Sequence, residues 1–327
     1  MLSDTVKFYS YSQFWTEPNR DDMRFSIIIA TINRIEENLR LLESIAAQQY
    51  NDLEVIFADQ NEDDRLNAIL AHFRSLFPIV HLRSQKGLSR ARNKALALAQ
   101  GKIICFPDDD CWYPPNLLIE VDRRMRENPH LAGYTGRCTD EHGRLSAGGE
   151  SKRPGLINRH NVWRSGVSAT MFLRSNVLKQ VGGFDEELGV GSGTPFQSGE
   201  DTDLLLRAIK EGYKIQYLPS LVIYHPLPPL YSRAAVTRAR LYGAGMGRVL
   251  RKHAEAPVWS YYYILFPLGG ALIALLQGDL GLARLRVARA FGRLQGWLVR
   301  PDHRLDFMIA GPEGGLCMLK TPKVEKI

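Results

Sequence analysis

Cysteine is scarce in this 327-residue chain. Cys105, Cys111, Cys138 and Cys317 form no Cys-x-x-Cys pair and have no histidines spaced beside them. That pattern indicates neither a zinc site nor a disulfide framework, and the four read as reduced thiols. The opening stretch Met1-Leu2-Ser3-Asp4-Thr5-Val6-Lys7 lacks a basic segment followed by an apolar one, so no secretory signal is expected and the globular part is expected to stay in the cytoplasm. No internal repeat is visible. Hydrophobic residues make up 45% of the chain, and the length suits one large α/β domain with an appendage, or two modest domains.

The net charge of +7 is unevenly placed. Between Arg233 and Arg304 stand twelve Lys/Arg against three acids, Glu255, Asp279 and Asp302, so the rest of the chain is slightly acidic. The same basic segment holds the longest uncharged apolar run. Nucleic acid is therefore a poor partner, and an anionic membrane face a good one.

From residue 24 the sequence alternates. Phe25–Ala30, Leu53–Ala58, Ile79–Leu82 and Lys102–Phe106 are short, nearly continuous apolar runs, as strands of a doubly covered parallel sheet require. Asn38–Gln49, Asp63–Phe77 and Ser89–Gln100 carry helical apolar spacing between them. Four strand-then-helix units argue for a parallel sheet with helices on both faces. Further on, Gly133–Arg137 and Val167–Leu173 read as strands, Gly189–Thr194 as a mobile glycine loop, and Glu200 to Gly212 as a helix. The expected division is an extension over 1–23, the α/β domain over 24–232, and a basic, apolar helical region over 233–327.

Ligands of such sheets sit outside the carboxyl ends of the strands. Three polar clusters fall there: Thr31-Ile32-Asn33-Arg34, Asp59-Gln60-Asn61, and the triplet Asp108-Asp109-Asp110. Adjacent carboxylates raise one another's pKa, so the triplet reads either as a seat for a hard divalent cation or as an acidic turn before the helix that Pro114 and Pro115 open. Convergence of the clusters on one crevice favours the cation. Gly87-Leu88-Ser89-Arg90-Ala91-Arg92-Asn93-Lys94 is a helix start with three cations, suited to a diphosphate through Lys86, Arg90 or Arg92, or else a solvated basic face. Asp59 is either an acceptor for the imide N–H of a pyrimidine base or a turn residue. Glu200, Asp201 and Asp203 crowd one first helical turn, where a single acid would serve the dipole, and a carboxylate there can take a proton from a hydroxyl. His225, closing the run Ile223-Tyr224-His225-Pro226, is either structural or a metal ligand.

Four of these motifs, in this order, resemble the family 2 glycosyltransferases of the GT-A fold: Ser26–Arg34, Gly87–Asn93, Phe106–Asp110 and Gly199–Leu204. The likeness covers roughly residues 24 to 230. It implies a Rossmann-like, mostly parallel sheet flanked by helices, and an inverting, nucleotide-sugar-dependent transfer. Asp108 and Asp110 would supply an Asp-x-Asp pair, with Asp110 on Mg²⁺ or Mn²⁺ and Asp108 near the metal or ribose. Thr31, Asn33, Arg34 and Asp59 would hold base and ribose, and Arg90 the diphosphate. Asp201 maps to the general base and His225 to a further metal ligand, while Glu200, Asp203 and Trp112 would line the donor-sugar and acceptor region. Asp109 is left as a turn residue. Many members carry two acids after the second strand where this chain has Asp59-Gln60-Asn61, a departure that weakens the inference of the base; UDP stays the first choice of nucleotide, with dTDP or GDP as alternatives. The competing activities are a sugar-phosphate nucleotidyltransferase and a non-catalytic sugar-nucleotide-binding subunit.

Val258 to Leu276 is nineteen residues without a charge, with Pro267 and Gly269-Gly270 in its middle. Spanning, interfacial and buried-core readings all remain open for it. Leu280 to Val299 mixes Arg284, Arg286, Arg289 and Arg293 with leucines and aromatics, which suits a helix lying on an anionic bilayer. The expected protein sits on the cytoplasmic face of the plasma membrane, alone or as a homo-oligomer. Its acceptor would be a lipid-linked or membrane-proximal glycan used in cell-surface polysaccharide synthesis.

Overall fold

The structure, a computed structural model, describes residues 24–147, 151–227, 232–253, 257–299, 308–310 and 316–318; the extension expected over 1–23 lies outside them. The described residues form two compact units, one holding 24–186 and 200–227, the other 187–199 and those from 232 onward.

In the first unit β1 (Phe25–Thr31), α1 (Glu36–Ala46), β2 (Leu53–Asp59), α2 (Asn67–Phe73), β3 (Ile79–Arg83), α3 (Leu88–Leu96) and β4 (Ile103–Cys105) alternate as the apolar spacing predicts. There follow α4 (Leu117–Glu127), β5 (Gly133–Thr139), β6 (Leu145–Ala147), β7 (Gly155–Leu156), α5 (Val162–Ser165), β8 (Phe172–Arg174), α6 (Ser175–Val181), α7 (Glu200–Lys210) and β9 (Ile215–Tyr224). Every residue of β1 and β2 is buried, the condition that makes such strands read as unbroken apolar runs. Two polar members inside these strands satisfy each other: Ser26 donates to Glu54 Oε1 at 2.5 Å, and the backbone N–H groups of Gln100 and Gly101 donate to Glu54 and Ser26. A Cβ on Gly101 would stand 2.4 Å from the Ser26 nitrogen, so only glycine closes this turn.

The sheet runs β3-β2-β1-β4-β8-β5-β9-β7, with β6 on the side of β5. It is mixed. β3, β2, β1 and β4 are parallel, β8 lies antiparallel between β4 and β5, and β5 pairs with β9 in parallel. The carboxyl ends of β1, β2 and β4 share one edge, with Thr31 paired in register to Asp59. Two expected elements differ. The helix expected from Asp63 is α2, which starts at Asn67, because Asp63 instead closes a local turn by accepting from the backbone and side chain of Arg65. The strand expected over Val167–Leu173 breaks into a 3₁₀ turn, Ser168–Thr170, before β8.

The second unit is helical: α8 (Arg233–Lys252), α9 (Pro257–Leu276) and α10 (Leu280–Leu298), with a short antiparallel pair β10 (Met308–Ala310) and β11 (Leu316–Met318). Ser232 caps α8 and Asp279 caps α10, each side-chain oxygen accepting a first-turn N–H. α8 and α10 pack through glycines. A Cβ on Gly247 would fall 2.0 Å from the Arg293 carbonyl, and one on Gly296 1.9 Å from that of Ala244. The expected mobile loop over Gly189–Thr194 is instead a compact, bonded turn. Gly189 N–H donates to Phe196 O, Thr194 Oγ1 to Glu187 O, and Gln197 to Thr194 O, while Ser198 reaches Tyr242 on α8.

α9 runs through Pro267 without a break. Proline lacks the N–H that would bond the carbonyl four residues back, here Tyr263, and Arg293 Nη1 donates to that carbonyl at 2.6 Å. Val258–Leu276 is long and apolar enough to cross a membrane, and only 28% of it is buried.

Candidate active site

The three strand-end clusters do converge, and each member of the acidic triplet has its own partners. Asp108 accepts from Arg92 Nη2 at 2.8 Å. Asp109 accepts from the Thr31 hydroxyl at 2.7 Å and from Arg34 Nη1 at 3.0 Å. Asp110 pairs with the same Arg34 nitrogen at 2.5 Å and faces His225 Nε2 at 3.5 Å. Asp109 is thus more than a turn residue: it ties the β4 exit to the β1 exit. Burial, partly opposed by Arg34, pushes its carboxyl up to about 6. Asn38 completes the tie by donating to Thr31 Oγ1 and to the Arg34 carbonyl.

The other half of the site gathers around Arg92. It is fully buried, with Asp108 on one side and Glu200 Oε1 at 3.7 Å on the other. Nε and Nη1 of Arg92 and Oε2 of Glu200 make no hydrogen bond among the described residues. Buried polar groups are rarely left so. Burial, and next the Asp201 charge, push Glu200 up to about 8. Asp201 is also raised, by burial, although the N–H groups of Thr202 and Ser168 donate to it and pull the other way. The 3₁₀ turn at Ser168 exists where it can make that last contact.

His225 ends β9, its N–H bonded to Thr139 O, and its Nδ1 lies 2.6 Å from the Pro226 carbonyl. With Nδ1 beside that carbonyl, Nε2 is the ring nitrogen turned toward Asp110. Ligand atoms of Asp108, Asp110 and Cys111 lie within 4.8 Å of one another; the two carboxylates suit a hard divalent ion, whereas the Cys111 thiol, raised by its contact with Cys138 and by burial, does not.

Other expected residues are set apart from this centre. Asp59 is fully buried. One oxygen accepts from the N–H and side chain of Asn61, the other from His81 at 2.9 Å and Arg83 at 2.8 Å. All four of its lone-pair positions are used, so it organises the β2 exit and has none left for a base. Asn33 sits at φ 59° with its N–H on Asn61 Oδ1, linking the first two strand exits. Arg90 points outward, to the Lys86 carbonyl and Glu186. Asp203 is fully buried and accepts from Arg207, whose guanidinium also bonds Val181 O and Gly183 O. Trp112 bridges to Tyr224 at the sheet end, donates to Glu141 and lies under Arg40, 3.8 Å from ring centroid to guanidinium carbon. Arg92, rather than Arg90, is the central cation, and its spacing shows it: Ser89, Ala91, Arg92 and Ala95 form the buried face of α3.

Residues 26–173 match the family described as Glycosyl transferase family 2. A pre-mycofactocin glycosyltransferase of Mycobacterium tuberculosis is 28% identical over 239 residues, covering 66% of this chain and 46% of that protein. Glycosyltransferase AglE of Haloferax volcanii is 24% identical over 213 residues, 62% of this chain and 67% of that one. The match thus spans under half the length of the first of these relatives. Among solved structures, the mannosyltransferase PcManGT of Pyrobaculum calidifontis, in complex with GDP-Man and Mn²⁺, superposes with TM-score 0.61 at 16% identity, covering 85% of this chain and 88% of that one. S. aureus TarS 1–349 in complex with UDP-GlcNAc superposes with TM-score 0.53 at 16% identity, over 91% and 97%. These two share the fold, a GT-A arrangement of mixed sheet and flanking helices. Fold, motif order and the match over residues 26–173 thus agree in making this chain similar to the glycosyltransferases of family 2.

Proposed function

We propose that this chain moves a sugar from a nucleoside diphosphate donor, UDP-linked as the first reading, to a hydroxyl of a lipid-linked or membrane-proximal glycan, with inversion at the anomeric carbon. The observation that carries the reading is the pair Glu200–Asp201 joined through buried Arg92 to the acidic triplet. A proton acceptor and a charge-stabilising site thereby share one crevice.

Asp201 takes the proton of the acceptor hydroxyl as that oxygen attacks the anomeric carbon, and the bond to the donor diphosphate breaks on the opposite side. Its raised pKa makes it a stronger base than an exposed aspartate. Glu200, protonated at neutral pH because burial holds it near 8, adds no second negative charge beside the base. Asp108, Asp110 and His225 would hold Mg²⁺ or Mn²⁺. When bound, the ion supplies Lewis-acid neutralisation of the charge on the departing nucleoside diphosphate. Thr31 and Arg34 fix the loop that carries Asp109 and Asp110, and Arg92 supplies buried positive charge beside Asp108 and Glu200.

A membrane setting is supported by the second unit. Its α9 exposes Val258, Trp259, Tyr261, Tyr262, Leu265, Phe266, Leu272, Ile273 and Leu276, each at 49% or more, beside a basic α10. We place the enzyme on the cytoplasmic face of the plasma membrane, in the synthesis of a surface glycan.

The test is Asp201→Asn. It should lower transfer by a factor of roughly 10²–10⁴, the usual worth of a general base, while Mn²⁺-dependent binding of the nucleotide stays within a few-fold of wild type. Retained turnover would remove the assignment. A screen of nucleotide sugars for Mn²⁺-dependent hydrolysis identifies the donor.

A further inference from the structure

The exposed apolar helix α9 invites the reading that it crosses the bilayer, since twenty residues at 1.5 Å each reach about 30 Å. Its partner argues otherwise. α10 returns antiparallel to α9 after the turn at Gln277 to Asp279, and three contacts fix the register: Arg286 Nη1 with the Gly270 carbonyl, Arg293 Nη1 with the Tyr263 carbonyl, and the tilted ring pair Trp297–Tyr261 with centroids 5.5 Å apart. In that register Arg289 lies level with Pro267, the midpoint of α9, and Arg284 and Arg289 are both exposed. A crossing α9 would carry four arginines of α10 into the hydrocarbon, each costing roughly a hundredfold in insertion equilibrium.

The same residues suit a helix pair lying flat. Ser260, Ile264, Pro267, Ala271 and Ala274 form the narrow face of α9 turned to the protein. The rest of α9 is apolar and exposed, and α10 adds a stripe of Leu280, Val287, Phe291, Leu294 and Leu298. Arg284 sits at the edge of that stripe by helical spacing, where a long side chain reaches from an apolar surface to a phosphate. Arg286 and Arg293 are internal ties, occupied by α9 carbonyls.

We propose that the α9–α10 hairpin lies within one leaflet of an anionic bilayer and does not cross it, with Arg284 meeting lipid phosphate. This rests on the reading of the protein as membrane-bound and is separable from its chemistry, because transfer can be measured in parallel in detergent. The experiment places a cysteine at the turn, Gln277→Cys, in the full chain with Cys317→Ser, and applies a membrane-impermeant maleimide to vesicles of the expressing cell. Labelling in inverted vesicles, and in right-side-out vesicles only after detergent, is the expected result. Labelling of intact right-side-out vesicles would show a crossing helix and overturn the proposal, as would recovery of the chain in the supernatant when membranes are removed. In flotation, purified protein should bind phosphatidylglycerol vesicles in preference to pure phosphatidylcholine, and Arg284→Gln should weaken that binding roughly fivefold. Equal binding to both lipids would refute the anionic contact.

Discussion

Glu200 gives the most quantitative handle on the site. Burial and the neighbouring Asp201 lift its carboxyl from the ordinary 4.5 to about 8. Between those two values the folded chain keeps a proton that the unfolded chain has released. Stability therefore falls as pH rises through that window, by at most about 1.4 kcal/mol per pH unit, and levels off above about 8. Glu200→Gln keeps the shape of the protonated acid and removes the linkage. Near pH 4.5 and below, where the acid is neutral in both states, the variant should match wild type within about 1 kcal/mol, as isosteric replacements of neutral groups do. Between pH 6 and pH 8 its advantage should grow by roughly 1–3 kcal/mol, the upper figure being two pH units of full linkage and the lower allowing for proton sharing with Asp201. For a unit of this size that is an upward shift of several degrees in Tm. Thermal unfolding of both proteins at pH 6, 7 and 8, in a chelator to exclude bound metal, reads it directly. A difference that stays constant with pH, or a wild type that gains on the variant toward pH 8, would refute the assignment of a buried, protonated Glu200.

Three further outcomes are expected. Arg92→Met strips the counter-charge from Asp108 and should destabilise the first unit by about 3 kcal/mol, the low end for breaking a buried pair because Glu200 is already neutral; Asp108→Asn added to it should recover part of the loss in thermal unfolding. Asp110→Asn should weaken Mn²⁺ binding, followed by electron paramagnetic resonance, by at least about tenfold, and His225→Ala should do the same to a lesser degree. Gly296→Val forces a side chain against the Ala244 carbonyl, 1.9 Å from the nearest Cβ position, and should cost about 1–3 kcal/mol, seen as faster limited proteolysis between α8 and α10.

The parallel half of the sheet is legible in the sequence because its strands are buried on both faces, so Phe25–Thr31 and Leu53–Asp59 have almost no polar interruption to mislead. The site acids are legible because they follow strand ends or open a helix. What escapes is whatever depends on a distant partner. α9 continues through Pro267 only because Arg293, thirty residues away, takes the freed carbonyl. The 3₁₀ turn at Ser168 depends on Asp201, thirty-three residues on. Glycine spacing at 189–193 suggests mobility, yet hydrogen bonds from Thr194 and Gln197 supply closure that composition does not reveal. Arg90 and Arg92 are alike in type, and only the inward face of α3 separates the exposed cation from the central one.

Three adjacent carboxylates survive at the end of β4 because the backbone turn aims them at three different environments. Asp108 meets Arg92, Asp109 meets Thr31 and Arg34, and Asp110 meets Arg34 and His225. One arginine follows β1 and the other stands on α3, so the charges that should repel instead lock β1, α3 and β4 together. The neutralisation is incomplete, since two arginines face three acids, and the surplus negative charge of the triplet is what a divalent cation would offset.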